Sequence, residues 1–234
     1  MAAAPAGHFE WAWLGRVPYR PTWQLQEAIR RRILEEDAAD TLLLLEHDSV
    51  VTLGRHADAG HVLLPEDELR ARGVEVVASS RGGDVTYHGP GQLVGYPVFR
   101  VPHGPLHHLE RLAEALRVVC AELGVRAEWR PEPAGLWVGD DKLAAFGLHV
   151  SRGVAVHGFA LNVAPRLEAF GWIVPCGLRS SGVTSLAAIL GRVLSPAELA
   201  PRVADAVAEA GGREAVQVPA EGLWRLAEDP AAGA

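Results

Sequence analysis

Arg81-Gly82-Gly83-Asp84-Val85-Thr86-Tyr87-His88-Gly89-Pro90-Gly91-Gln92 is the stretch on which the reading of the fold turns. Its glycines permit positive φ and close approach of a ligand to the backbone. Two nucleotide-binding templates fail on it. A Rossmann loop opens a helix, whereas Leu93 to Phe99 continues as an apolar, strand-like run. A phosphate-binding P-loop needs a Gly-Lys pair, and here the sole lysine follows Asp141. A glycine-rich hairpin without a ligand is the plain alternative. Arg81, Tyr87 and His88 instead give the loop the fixed polar groups of a binding wall.

Outward from this loop the strands outnumber the helices. Phe9 to Val17, Thr41 to His47, Val50 to Leu53, Val74 to Ala78, Leu93 to Phe99, Leu136 to Val138, Leu143 to Val150 and Val154 to Val163 read as strands. Asp48-Ser49 is expected to be a turn between the second and third of these. Thr22 is the expected N-cap of a helix through about Glu36, with Leu25, Ile29 and Ile33 on one face. Leu106, Leu109, Leu112, Leu116, Val119 and Leu123 mark a second helix. Ser195-Pro196-Ala197-Glu198 reads as a capping box opening a third, to about Ala210. Short turns between adjacent strands point to an α/β (α+β) domain with a mixed, largely antiparallel sheet flanked by helices. No linker or repeat divides the chain, so one domain is expected over 8–228, with disordered tails at 1–7 and 229–234.

The 234 residues carry 22 basic and 29 acidic side chains, a net charge of −7, which argues against a nucleic-acid or membrane-surface binder. Two cysteines, Cys120 and Cys176, build neither a disulfide framework nor a Cys-rich zinc site. The first residues lack the pattern of a signal peptide, and a cytoplasmic location is expected. Of the 22 basic residues 21 are arginine and one is lysine, Lys142. Arginine serves for salt bridges but cannot give up its proton, whereas a partly buried lysine amine can. Lys142 is therefore either a solvated charge that is alone by chance or an amine kept for proton chemistry.

Cys176 lies in Val174-Pro175-Cys176-Gly177, a loop in which a thiol is either simply buried or presented as a nucleophile. Cys120 falls on the apolar face of the second helix and reads as a small buried hydrophobe. An ammonium close to Cys176 would favour its thiolate, and Lys142, at the start of a hairpin arm whose partner carries His157 to Asn162, is the candidate. His103, His107 and His108 read as a helix-entry surface rather than a metal site, since Pro105 interrupts them and no carboxylate cluster accompanies them. Arg30-Arg31-Arg32 reads as a solvated helix face, with docking of an acidic partner second. No metal and no cofactor are expected.

Arg81 to Gln92 resembles the signature of the lipoyl(octanoyl) transferases, which carry octanoyl from acyl carrier protein to other proteins. The likeness continues through Leu14-Gly15, Tyr19 and Gln26, through Glu46-His47 and Thr52 to Arg55, and through Lys142 to Gly147. His157 to Asn162, Pro175-Cys176-Gly177 and Gly182 to Leu186 complete it in the same order. The resemblance implies a fold similar to the catalytic domains of lipoate ligases and biotin protein ligases. It also implies a dyad in which Cys176 is the acyl-thioester nucleophile and Lys142 its acid/base partner. Arg81, Gly82, Gly83, Asp84, Val85, Thr86, Tyr87 and His88, with Ala145, Phe146, Gly147, Gly158, Phe159 and Ala160, would line the substrate site.

The donor implied is octanoyl-acyl carrier protein. The acceptors implied are a lysine of the lipoyl domains of 2-oxoacid dehydrogenase E2 subunits and of the glycine cleavage H protein. Exchange of one thioester for another needs no ATP, and the second transfer, onto an amine, needs a base. An ATP-dependent lipoate-protein ligase shares the fold but has no need of Cys176. A non-catalytic module binding lipoyl domains or carrier protein would leave both Lys142 and Cys176 unexplained.

Overall fold

The structure, a computed structural model, describes residues 7–175 and 182–228. Apart from Gly7, the expected tails lie outside the described residues, and so does Cys176. β1 (His8–Val17), α1 (Tyr19–Glu35) and β2 (Thr41–His47) make a βαβ unit with β1 and β2 parallel. From β2 inward the pairing is antiparallel, through β6 (Gln92–Val98), β10 (Val154–Asn162), β9 (Asp141–Ser151), β8 (Ala134–Val138) and β7 (Glu128–Pro131). β12 (Glu214–Gln217) runs parallel along the outer edge of β1, and β11 (Gly182–Val183) parallel to β9. A smaller sheet has β3 (Val50–Leu53) between β4 (Glu75–Ala78), parallel and preceded by α2 (Glu66–Ala71), and β5 (Val85–His88), antiparallel, and α4 (Leu186–Leu190) follows β11.

The larger sheet is covered on both faces. Leu42, Leu43, Leu44 and Leu45 are all fully buried because alternate side chains enter two different cores. Leu42 and Leu44 pack with α3 (Pro105–Glu122) and α5 (Pro196–Gly211) through Leu112, Leu116, Val119 and Val203. Leu43 and Leu45 pack with α1 and α6 (Ala220–Glu228) through Leu25, Ile29, Ile33 and Leu223. Each such leucine contributes roughly 1.5–3 kcal/mol of burial. Cys120 belongs to the first core; burial pushes its thiol up to about 12, as expected of a structural cysteine.

The structure corrects the sequence expectations in four places. α1 begins three residues before Thr22, with Pro18 at its N-cap. Pro21 sits in the first turn, where a missing N–H loses no helical bond, so it does not delay the helix. Thr22 lies inside the helix, and its hydroxyl donates to the Pro18 carbonyl at 2.7 Å. Asp48-Ser49 is not a hairpin turn, because it carries the chain from the large sheet into the small one. Ser195 does stand at the N-cap of α5, but its side chain makes no capping hydrogen bond. The Arg81–Gln92 stretch contains a strand of its own, β5.

Candidate active site

Lys142 lies near the start of β9 and is 6% exposed. Its Nζ stands 4.8 Å from the centroid of the Trp137 ring, its cross-strand neighbour on β8, within the range of a cation–π contact. Room for its stem comes from Gly135. A Cβ there would stand 3.0 Å from Lys142 Cε and 2.9 Å from Trp137 Nε1. Past the 176–181 segment the chain returns onto Lys142: Val183 pairs with it, and the Thr184 N–H donates to its carbonyl at 3.1 Å.

Beyond Lys142 the β9–β10 hairpin forms one wall of a cavity of about 50 Å³. Ala145, Phe146 and Gly147 face Ala160, Phe159 and Gly158 in register. Gly158 is required by close packing, since a Cβ there would lie 2.3 Å from the Gly95 carbonyl oxygen and 2.5 Å from Pro97 Cδ. The opposite wall is the loop before β5. The Gly82 N–H donates to the Leu148 carbonyl at 2.9 Å, and the N–H groups of Gly54, Arg55 and His56 donate to the carbonyls of Asp84, Arg81 and Gly83.

Arg81 clamps this loop from within. Nε donates to Thr52 Oγ1, and the terminal nitrogens to the carbonyls of Thr52, Gly82 and Asp84 at 2.6–3.1 Å. Asp84 accepts from the Asp58 N–H and contacts His61 Nδ1 at 2.5 Å. The cavity therefore brings together Arg81, Gly83, Asp84, Thr86 and His88 with the six hairpin residues. Gly82 stands behind the wall, joined to Leu148. Val85 and Tyr87 point into the core of the small sheet, where the Tyr87 ring meets Phe170 and Trp172 edge-on.

Tyr19, Tyr96 and His157 complete the lining. His47 stands behind Tyr96: its Nδ1 donates to the Val17 carbonyl, which fixes Nε2 as the acceptor from the Tyr96 hydroxyl at 2.7 Å. Burial holds His47 at about 4 and pushes the Tyr96 hydroxyl well above its usual range. His88 Nδ1 donates to Gln92 Oε1 at 2.6 Å, Gln92 Nε2 donates to Asn162 Oδ1, and Asn162 Nδ2 donates to the Thr184 carbonyl. Desolvation, with His47 alongside, holds His88 neutral down to about 3. A hydrogen-bonded chain thus runs from the cavity floor to the strand that pairs with Lys142. Its signal in the sequence was His88 with Gln92, and Asn162 at the end of the hairpin, all within the family-like motifs.

The catalytic domain model of the lipoyl protein ligase A/B family matches residues 18–208. The chain belongs to that family. It is 44% identical over 218 residues to an octanoyltransferase of Mycolicibacterium gilvum, covering 88% of this chain and 87% of the relative. Among solved structures it is similar to a bi-partite lipoate protein ligase of Thermoplasma acidophilum, with a TM-score of 0.70 and 16% identity over 95% and 92% of the two chains. A biotin protein ligase of Aquifex aeolicus shares the fold more distantly, with a TM-score of 0.51 and 13% identity over 86% and 69%. The mixed α/β architecture is thus that of the lipoate and biotin protein ligases, and the enzyme is an acyltransferase. No helix among the described residues is long and apolar enough to cross a membrane.

Proposed function

We infer that this enzyme transfers octanoyl from acyl carrier protein to a lysine of lipoyl domains through a thioester on Cys176. The observation that carries the reading is Lys142, the sole lysine of the chain, buried on β9 three residues before Ala145, which lines a cavity walled by the family-like motifs. Cys176 is the only cysteine besides Cys120, whose burial in the core suits it to packing alone. In the first half-reaction the Cys176 thiolate attacks the thioester carbonyl. A carbon–sulfur bond forms to Cys176, the bond to the carrier sulfur breaks, and the carrier thiolate takes a proton from Lys142. In the second half-reaction the acceptor amine attacks the acyl-Cys176 carbonyl, the amide forms, the Cys176 thiolate leaves, and the amine proton passes to Lys142.

The apolar side chains of Ala145, Phe146, Phe159 and Ala160 on the cavity wall are suited to the acyl chain, at about 0.8 kcal/mol for each buried methylene. Lipoyl domains of 2-oxoacid dehydrogenase E2 subunits and the glycine cleavage H protein are the acceptors of this reading. The cytoplasm is its compartment, being reducing enough to keep a catalytic thiol free. The test is steady-state kinetics with octanoyl-acyl carrier protein and a lipoyl domain in the absence of ATP. Parallel double-reciprocal lines are expected of an acyl-enzyme route. Transfer that requires free octanoate and ATP would make the protein a ligase instead.

A further inference from the structure

Four buried side-chain nitrogens without a hydrogen-bond partner among the described residues gather between α1 and the β9–β10 hairpin: Gln26 Nε2, Arg30 Nη1, His149 Nδ1 and His157 Nδ1. Gln26 and Arg30 are one helical turn apart and share a face of α1. Gln26 Oε1 accepts from the His157 backbone N–H at 2.7 Å, which seats the helix on the strand at that point. His149 faces Val156, the residue next to His157, across the hairpin. The backbone of His157 is left-handed, φ 63°, in mid-strand, and its ring meets Trp23 of α1. A non-glycine residue held there in the middle of a strand is strained, and such strain gathers at binding sites.

A buried polar nitrogen left unpaired is costly, so four at one place are a demand for a ligand. The chemistry of the donors names its class. Gln26 Nε2 and Arg30 Nη1 only donate, and the Arg30 side chain is 20% exposed, so the crevice opens to solvent. His157 Nε2 contacts Ser80 Oγ at 2.9 Å, so a hydroxyl donating to it leaves Nδ1–H as a third donor. The charges facing the crevice are Arg30, Arg55 and Arg81, against one carboxylate, Glu27, which is paired with Arg30. Donors converging from a helix and two strands suit the tetrahedral oxygens of a phosphoryl group better than a planar carboxylate.

We propose that this crevice binds a phosphoryl anion. It adjoins the acyl cavity, since His157 belongs to both.

The test titrates inorganic phosphate against the imidazole ¹⁵N resonances of His149 and His157, in the wild type and in Arg30→Gln. Phosphate should shift the His157 signals in the wild type, with an apparent affinity about tenfold or more weaker in Arg30→Gln. No phosphate response, or an equal response in the variant, overturns the proposal. Octanoyl-pantetheine and octanoyl-4′-phosphopantetheine, compared as donors to a lipoyl domain, tell the sources of the phosphoryl group apart. A KM about tenfold lower for the phosphorylated donor, lost in Arg30→Gln, supports the site with the donor as its ligand, and equal KM values beside a phosphate response support it with free phosphate. Thermal unfolding of Arg30→Gln separates a lost contact from a lost fold, and Arg30→Lys, which keeps the charge, should restore part of the phosphate response.

Discussion

The backbone N–H of Thr184 donates to the carbonyl of Lys142 at 3.1 Å. The carbonyl of Thr184 in turn accepts from Asn162, whose partner Gln92 holds His88 at the cavity floor. Lys142 is thus built into a network spanning β5, β6, β10 and the residues after the 176–181 segment. Its position is fixed by backbone as well as by its own side chain.

Replacing Lys142 removes an amine that arginine cannot replace, because a guanidinium does not release a proton at working pH. Single-turnover octanoyl transfer should fall about 10²–10⁴-fold in Lys142→Ala, with little recovery in Lys142→Arg. An arginine variant within a few-fold of wild type would show that charge alone suffices.

Gly158→Ala places a methyl group 2.3 Å from the Gly95 carbonyl oxygen. Backbone cannot step aside as a side chain can, so β6 and β10 must part. Overpacking of this kind costs about 1–3 kcal/mol, a fall in Tm of at least about 2 °C for a chain of this size. Scanning calorimetry measures it, and an unchanged Tm would mean that the two strands are not so closely packed.

Ala160 and Ala145 are cross-strand neighbours on one wall of the cavity. Ala160→Val adds bulk to that wall and reduces the cavity, so the preference should move toward shorter acyl chains. Discrimination per methylene is about 1–3 kcal/mol, and the octanoyl to hexanoyl ratio of kcat/KM should drop about tenfold. Competition between the two thioesters reads the ratio, and equal losses for both would remove Ala160 from the acyl site.

Burial holds His47 at about 4 and His88 and His157 at about 3, below the 6.5 of an unfolded chain. Between those values the unfolded state binds protons that the folded state refuses. The stability these neutral histidines provide is therefore complete above pH 6.5 and is lost as the pH falls toward 4 and 3. Each adds up to about 1.4 kcal/mol per pH unit to the slope. Urea midpoints should drop steeply from pH 7 to pH 5, and less so in His88→Asn. A flat profile would mean that the three rings are protonated inside the fold.

Much of this architecture was legible because it rests on local patterns. The leucine spacing of α3 and the apolar runs of β1, β2, β9 and β10 fall where the residues place them, and the β9–β10 hairpin aligns Ala145 to Gly147 with Gly158 to Ala160. What stayed hidden depends on distant partners. Val85 to His88 looks like loop because its pairing to Val50–Leu53 is a tertiary fact. Tyr19 and Tyr96 reach the cavity from separate elements, and the side-chain direction at His157 depends on a backbone φ that no side-chain pattern encodes.

The most direct measurement is intact mass after mixing the protein with octanoyl-acyl carrier protein without ATP, for wild type and Cys176→Ser. The expected result is one octanoyl adduct on the wild type, absent from the variant and discharged when a lipoyl domain is added. Transfer to the lipoyl domain at the wild-type rate by Cys176→Ser, without any adduct, would contradict the acyl-enzyme mechanism.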